Sequence, residues 1–130
     1  MANVDKKIVV TAALVGALTI AIGAFGAHGL KKLVDAQAVA SFETGVRYQM
    51  YHAIVLLIVG WMGNLSKATK IWVFRLFLAG IVLFSGSIYL LTLDETVGFD
   101  AGSIGFVTPL GGLLFIVGWV VLALGALRKN

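Results

Sequence analysis

Charge is what this sequence has least of. Only 12% of its 130 residues are Asp, Glu, Lys or Arg, whereas a water-soluble domain uses roughly a quarter to wet its surface. With 60% hydrophobic residues and a mean hydropathy of +1.02, the chain cannot cover itself with polar groups. That excludes an ordinary soluble enzyme and a disordered tail. Cysteine is absent, and with it any disulfide scaffold. The sequence also holds no Walker A loop, no nucleophile elbow and no HExxH pair. Gly23, Gly26 and Gly29 are spaced like a nucleotide-binding loop, but they follow a long apolar run and not a strand, so that reading fails on context.

The few charges that exist are placed informatively. They bound four uncharged runs, Ile8 to Leu30, Tyr48 to Ser66, Leu76 to Leu93 and Ala101 to Leu127. A hydrocarbon core about 30 Å thick needs roughly 20 helical residues, and lipid leaves no alternative partner for backbone groups. The expectation is an all-α membrane protein, a four-helix transmembrane bundle forming one domain over residues 1–130. Its spans fall at about 8–30, 48–66, 71–93 and 108–127. The third starts near Ile71 with Arg75 snorkelling toward the headgroups. The fourth has Thr108 as N-cap and Pro109 at the first helical position. A cleaved signal peptide in place of the first span is the weaker reading, because the run is longer than a signal h-region.

Lys6, Lys7, Lys67, Lys70, Arg75, Arg128 and Lys129 lie on one side of that arrangement, and only Lys31, Lys32 and Arg47 on the other. The positive-inside rule then puts both termini in the cytoplasm. Trp61 and Trp72 come near the inner interface, with Tyr48, Tyr51 and Tyr89 near the outer one. The basic charge is a topology signal, and no clustered soluble patch suggests nucleic acid.

Between the first two spans, Val39, Phe42, Val46, Met50 and Ala53 recur at helical spacing, and Glu43 precedes Arg47 by four. This predicts an amphipathic helix, N-capped by Asp35, lying at the outer interface and bending near Gly45 into the second span. Residues 94–107 read as an irregular outer loop. Small residues predict the helix contacts: Ala13, Ala17 and Ala21 on the first span, Gly111, Gly118 and Gly125 on the fourth.

The span interiors lack Asp, Glu, Lys and Arg, which argues against an ion-driven carrier with a buried acidic relay. What remains is a set of polar side chains at one depth in the outer half: His28, Tyr48, Gln49, His52, Ser85, Tyr89 and Thr108, with Thr92 beside them. His28 shares a face with the alanine stripe and is expected to point inward. Such groups are costly in hydrocarbon unless paired. The favoured reading is a structural or interaction protein whose polar cluster fixes helix register. The alternative is a pocket for a lipid, ion or small polar ligand. A metal or haem site on His28 and His52 is the weakest, so no metal, cofactor or catalytic residue is assigned and no enzyme is expected. The bilayer is the certain partner, and a homo-oligomer stays open.

At these same residues the chain resembles a known family. Gly23-Ala24-Phe25-Gly26-Ala27-His28-Gly29-Leu30, Thr44-Gly45-Val46-Arg47-Tyr48-Gln49-Met50-Tyr51-His52, Leu83-Phe84-Ser85-Gly86-Ser87-Ile88-Tyr89 and Thr108-Pro109-Leu110-Gly111-Gly112 with Gly118-Trp119 are similar to the domain of unknown function 423 family, which includes animal transmembrane protein 256. The resemblance touches all four runs. It implies a small multi-pass protein of the bacterial inner membrane with no assigned activity, and it carries over His28, Tyr48, Gln49, His52, Ser85, Tyr89, Thr108 and Pro109.

Overall fold

The computed structural model describes residues 1–97 and 105–128, and among these the chain is helical with no strand. Helix α1 is Asn3–Ala27 and a short 3-10 turn follows at Leu30–Lys32. Helix α2 is Ala36–Trp61, α3 is Lys67–Gly80, α4 is Gly86–Val97 and α5 is Val107–Leu127. A π turn, Ile81–Ser85, joins α3 to α4 without a break. Among the described residues, three helical segments are long and apolar enough to cross a membrane: Asn3–Lys32, Lys67–Asp94 and Val107–Leu127. Helix α2 has sufficient length at 26 residues, about 39 Å at 1.5 Å per residue. It carries, however, Glu43, Arg47, Gln49 and His52, which lower its hydropathy. The irregular loop expected after Asp94 lies largely outside the described residues, though α4 carries the helix on to Val97.

Local chemistry sets the helix ends. Asp35 caps α2 as its position predicts, its carboxylate accepting from Ala38 N–H at 2.8 Å. Met62 closes the same helix, its N–H donating to the Ile58 and Val59 carbonyls. The second run therefore stops being helical at Trp61, short of the expected Ser66. Ser66 instead caps α3, accepting from Thr69 N–H at 3.2 Å, and α3 starts at Lys67, ahead of Ile71. Helix α5 starts at Val107 with Phe106 as N-cap. Thr108 is not the cap, because its hydroxyl is engaged across the bundle by Ser87.

The segment expected at the headgroups behaves differently from its reading in sequence. Residues 36–47 are the first half of α2, and the helix runs through Gly45 without interruption. Their apolar side, Val39 and Phe42, is covered by Leu30, Ile22, Val34, Val46, Tyr89 and Leu93. Gly45 is a point of close approach and not a bend: a β-carbon there would stand 2.9 Å from the Tyr89 ring. Arg47 donates to the Thr44 hydroxyl at 3.1 Å, so the ion pair that the four-residue spacing to Glu43 suggests is not formed.

The main core joins Ile8 and Ala12 of α1, Leu56 and Val59 of α2, Val73 and Phe77 of α3, Ile81 and Phe115. Helix α1 lies along α2, while α5 packs on α3 and the π turn. The glycine seam on α5 is where the sequence puts it: Gly111, Gly118 and Gly125 are buried, against the Phe84 backbone, the Phe77 ring and Thr69. The seam on α1 is not. Ala13, Ala17 and Ala21 are exposed, and Ile8, Ala12, Thr19 and Gly26 face inward. Thr19 is tolerated there because its hydroxyl donates to the Val15 carbonyl at 2.6 Å within its own helix. Arg75 is exposed and folds its guanidinium over the Trp72 ring, 5.7 Å from the centroid, a cation–π contact.

Candidate functional site

Helical spacing puts Gly45, Gln49, His52 and Leu56 on the buried face of α2. Gln49 and His52 are 3% and 4% exposed, while Tyr48, turned to the flank, is 39% exposed. The π turn decides what meets them. One extra residue in a turn rotates everything beyond it, so that Ser85, Tyr89 and Thr92 stay on the side facing α2 after Phe77 and Ile81 have used it for the core.

The polar groups satisfy one another across helices. The Ser85 hydroxyl donates to the Gly45 carbonyl at 2.6 Å, and the Tyr89 hydroxyl donates to Gln49 Oε1 at 2.7 Å. Ser87 and Thr108 share a hydrogen bond of 2.5 Å, joining α4 to α5. His52 is held at both nitrogens. Trp119 Nε1, a donor only, lies 3.2 Å from His52 Nε2, so Nε2 must accept. The proton then sits on Nδ1, which donates to the Tyr48 carbonyl at 2.6 Å. Aromatic rings enclose the imidazole: Phe115 stacks on it at 3.6 Å between centroids and Phe77 meets it edge-on at 4.8 Å. Tyr48 stacks on Phe84 at 4.8 Å. No buried side-chain nitrogen or oxygen among the described residues lacks a partner.

Of the residues selected from sequence, the structure thus unites Gln49 with Tyr89, places Ser85 on the backbone of α2, and ties His52 to the Tyr48 carbonyl. Thr108 joins through Ser87. His28 is excluded. It is the C-cap of α1 and solvent- or lipid-exposed, because the alanine stripe whose face it was expected to share is itself turned outward. Trp119 was not selected; its signal was an indole N–H in the middle of an apolar run, which needs an acceptor.

Two clefts adjoin the cluster. One of about 570 Å³ is bordered by Tyr48, His52, Pro109, Phe115 and Trp119 between α2 and α5. The other, about 350 Å³, is bordered by Ser41, Thr44, Thr92 and Thr108. Among the described residues no three His, Cys, Asp or Glu side chains converge as metal ligands would.

A second polar centre lies at the other end of the bundle, and sequence reasoning missed it. Lys70 Nζ meets Asp5 Oδ1 at 2.7 Å, with the lysine side chain only 6% exposed. The signal was available once Ser66 is recognised as a cap: Lys70 then belongs to the first turn of α3, as Asp5 belongs to that of α1. Ser66 and Thr69 hydroxyls, 2.9 Å apart, close the same corner.

Comparison with known proteins places the chain among membrane proteins. Residues 22–112 match the model of a family described as protein of unknown function (DUF423). A UPF0382 membrane protein of Staphylococcus saprophyticus is 39% identical over 123 residues, 95% of this chain and 98% of the relative. The UPF0382 membrane protein YwdK of Bacillus subtilis is 36% identical over 128 residues, 95% and 98% respectively. The UPF0382 inner membrane protein YgdD of Escherichia coli is 38% identical over 127 residues, 95% and 92%. No solved structure matches. The matched residues, the aligned length and the identity lead to one conclusion: this chain belongs to the DUF423 family of membrane proteins.

Proposed function

We propose that this is a non-enzymatic, four-span membrane protein in which the polar cluster of α2, α4 and α5 is a register clamp, and whose role is structural or one of interaction. The observation that carries this reading is the completeness of the pairing: Gly45 with Ser85, Gln49 with Tyr89, Ser87 with Thr108 and His52 with Trp119 are all contacts between helices. A catalytic site needs a group left free to act, and the buried groups of this cluster are all paired. In this reading α2 is the fourth span, since Gln49 and His52 are turned to protein and not to lipid, while the exposed Glu43 and Arg47 belong to its first half, toward the outer interface. Both termini are cytoplasmic, on the Lys/Arg count. Single cysteines introduced at Lys6 and Asp100 test the topology: an impermeant thiol reagent applied from outside should label the second and spare the first. Labelling of Lys6→Cys from outside would invert it.

The cleft bordered by Tyr48, His52 and Trp119 favours a second reading, a pocket for a lipid or small polar ligand. His52→Leu separates the two. As a clamp, the substitution leaves the Trp119 N–H unpaired and lowers stability in detergent by about 1 kcal/mol, membrane hydrogen bonds being worth roughly 0.6 to 2 kcal/mol, with ligand content unchanged. As a pocket, the fold survives while a co-purifying molecule disappears from the native mass spectrum.

A further inference from the structure

We propose that the cavity at the end of the bundle where α1 and α3 begin binds a phosphate anion, carried by an anionic phospholipid headgroup or free in solution. Lys70 is the starting point. Its ammonium has three N–H donors, Asp5 accepts one at 2.7 Å, and among the described residues nothing accepts the other two. A buried cation with unused donors is costly unless a further acceptor completes it. Beside it opens a cavity of about 390 Å³, bordered by Asn3, Asp5, Gly63, Leu65, Lys67 and Lys70. No atom stands within 4 Å of where a β-carbon of Gly63 would lie.

Electrostatics give the occupant its sign. Two lysines against one aspartate leave one surplus positive charge on the cavity wall. The α1 terminus adds to this, because Ala2 at its N-cap makes no side-chain bond and the first-turn N–H groups stay unclaimed by a cap. A phosphodiester, with two free oxygens sharing one negative charge, matches the surplus charge and the spare donors together. Depth gives the occupant its source: the cavity lies where two membrane-crossing segments, Asn3–Lys32 and Lys67–Asp94, begin, the level at which basic pockets between helices take lipid headgroups. This site is independent of the clamp described above.

The test uses the full chain in a nonionic detergent, with thermal unfolding and native mass spectrometry as readouts. Phosphatidylglycerol, phosphatidylcholine and inorganic phosphate are added separately. Phosphatidylglycerol is expected to raise the unfolding midpoint and stay bound, and phosphatidylcholine to do so less. Lys67→Gln, on an exposed side chain, should weaken phosphatidylglycerol binding about fivefold, the equivalent of ~1 kcal/mol for one basic group. The double variant Asp5→Asn/Lys70→Gln keeps a neutral hydrogen-bonded pair and should fold, yet lose the preference. Stabilisation by phosphatidylglycerol alone assigns the site to a headgroup; equal stabilisation by inorganic phosphate assigns it to the free anion. The proposal is overturned if neither anion stabilises the protein, if phosphatidylcholine does as well as phosphatidylglycerol, or if the double variant binds like the parent.

Discussion

Gly111→Ala will destabilise the protein by about 2 to 3 kcal/mol, although the same exchange in an unpacked helix gains up to ~1 kcal/mol from helix propensity. The difference lies in what the new methyl group meets. At Gly111 it would run into the backbone of Phe84 and Leu83 in the π turn, and backbone cannot rotate aside as a side chain can. Helix α5 must move away, opening the Ser87–Thr108 bond and the His52–Trp119 bond with it. Gly112→Ala is the matched control: its β-carbon would lie 3.8 Å from the Phe84 ring, an ordinary contact, so stability should hold or rise slightly. Equilibrium unfolding of both variants in mixed micelles compares them directly. Equal midpoints would show that α5 is not held against the π turn as described.

The second large effect concerns the ion pair between Asp5 and Lys70. Lys70→Met alone will cost about 2 kcal/mol, because it leaves the partly buried Asp5 carboxylate without its cation. Asp5→Leu/Lys70→Met, which removes both charges, should recover most of that loss, since a buried pair scarcely outperforms well-packed apolar side chains of similar size. The expectation is thus a strongly non-additive cycle, with the double variant more stable than the lysine substitution alone. Additive losses would mean that the two groups stabilise the bundle separately and that their 2.7 Å contact contributes nothing of its own.

In the sequence, a polar atom inside an apolar run stands out as a group that must find a partner. Gln49, His52, Ser85, Tyr89 and Thr108 were legible on that ground alone. Asp35 and the α5 glycines were legible too, because a cap and a close helix contact each leave a local residue signature. His28 was misread because the alanine stripe that set its facing was taken as the inward seam, and that stripe points outward. Trp119 was overlooked because indole resembles its apolar neighbours in composition, and only its N–H sets it apart.

By itself the sequence determined the solvent. Sixteen charged residues confined to the gaps between long apolar runs leave a bilayer as the medium and helix as the backbone form, since lipid satisfies no peptide group. What only the tertiary structure decided is which way each helix faces. In water, burial separates apolar from polar residues and leaves a periodic trace; in lipid, the outward face of α1 is as apolar as the inward one, so Ala13, Ala17 and Ala21 could not be told from Ile8, Ala12 and Thr19 by pattern. The π turn that aims Ser85 and Tyr89 at α2, and the pairing of Asp5 with Lys70 across sixty-five positions, likewise follow from contacts between helices that no local spacing encodes.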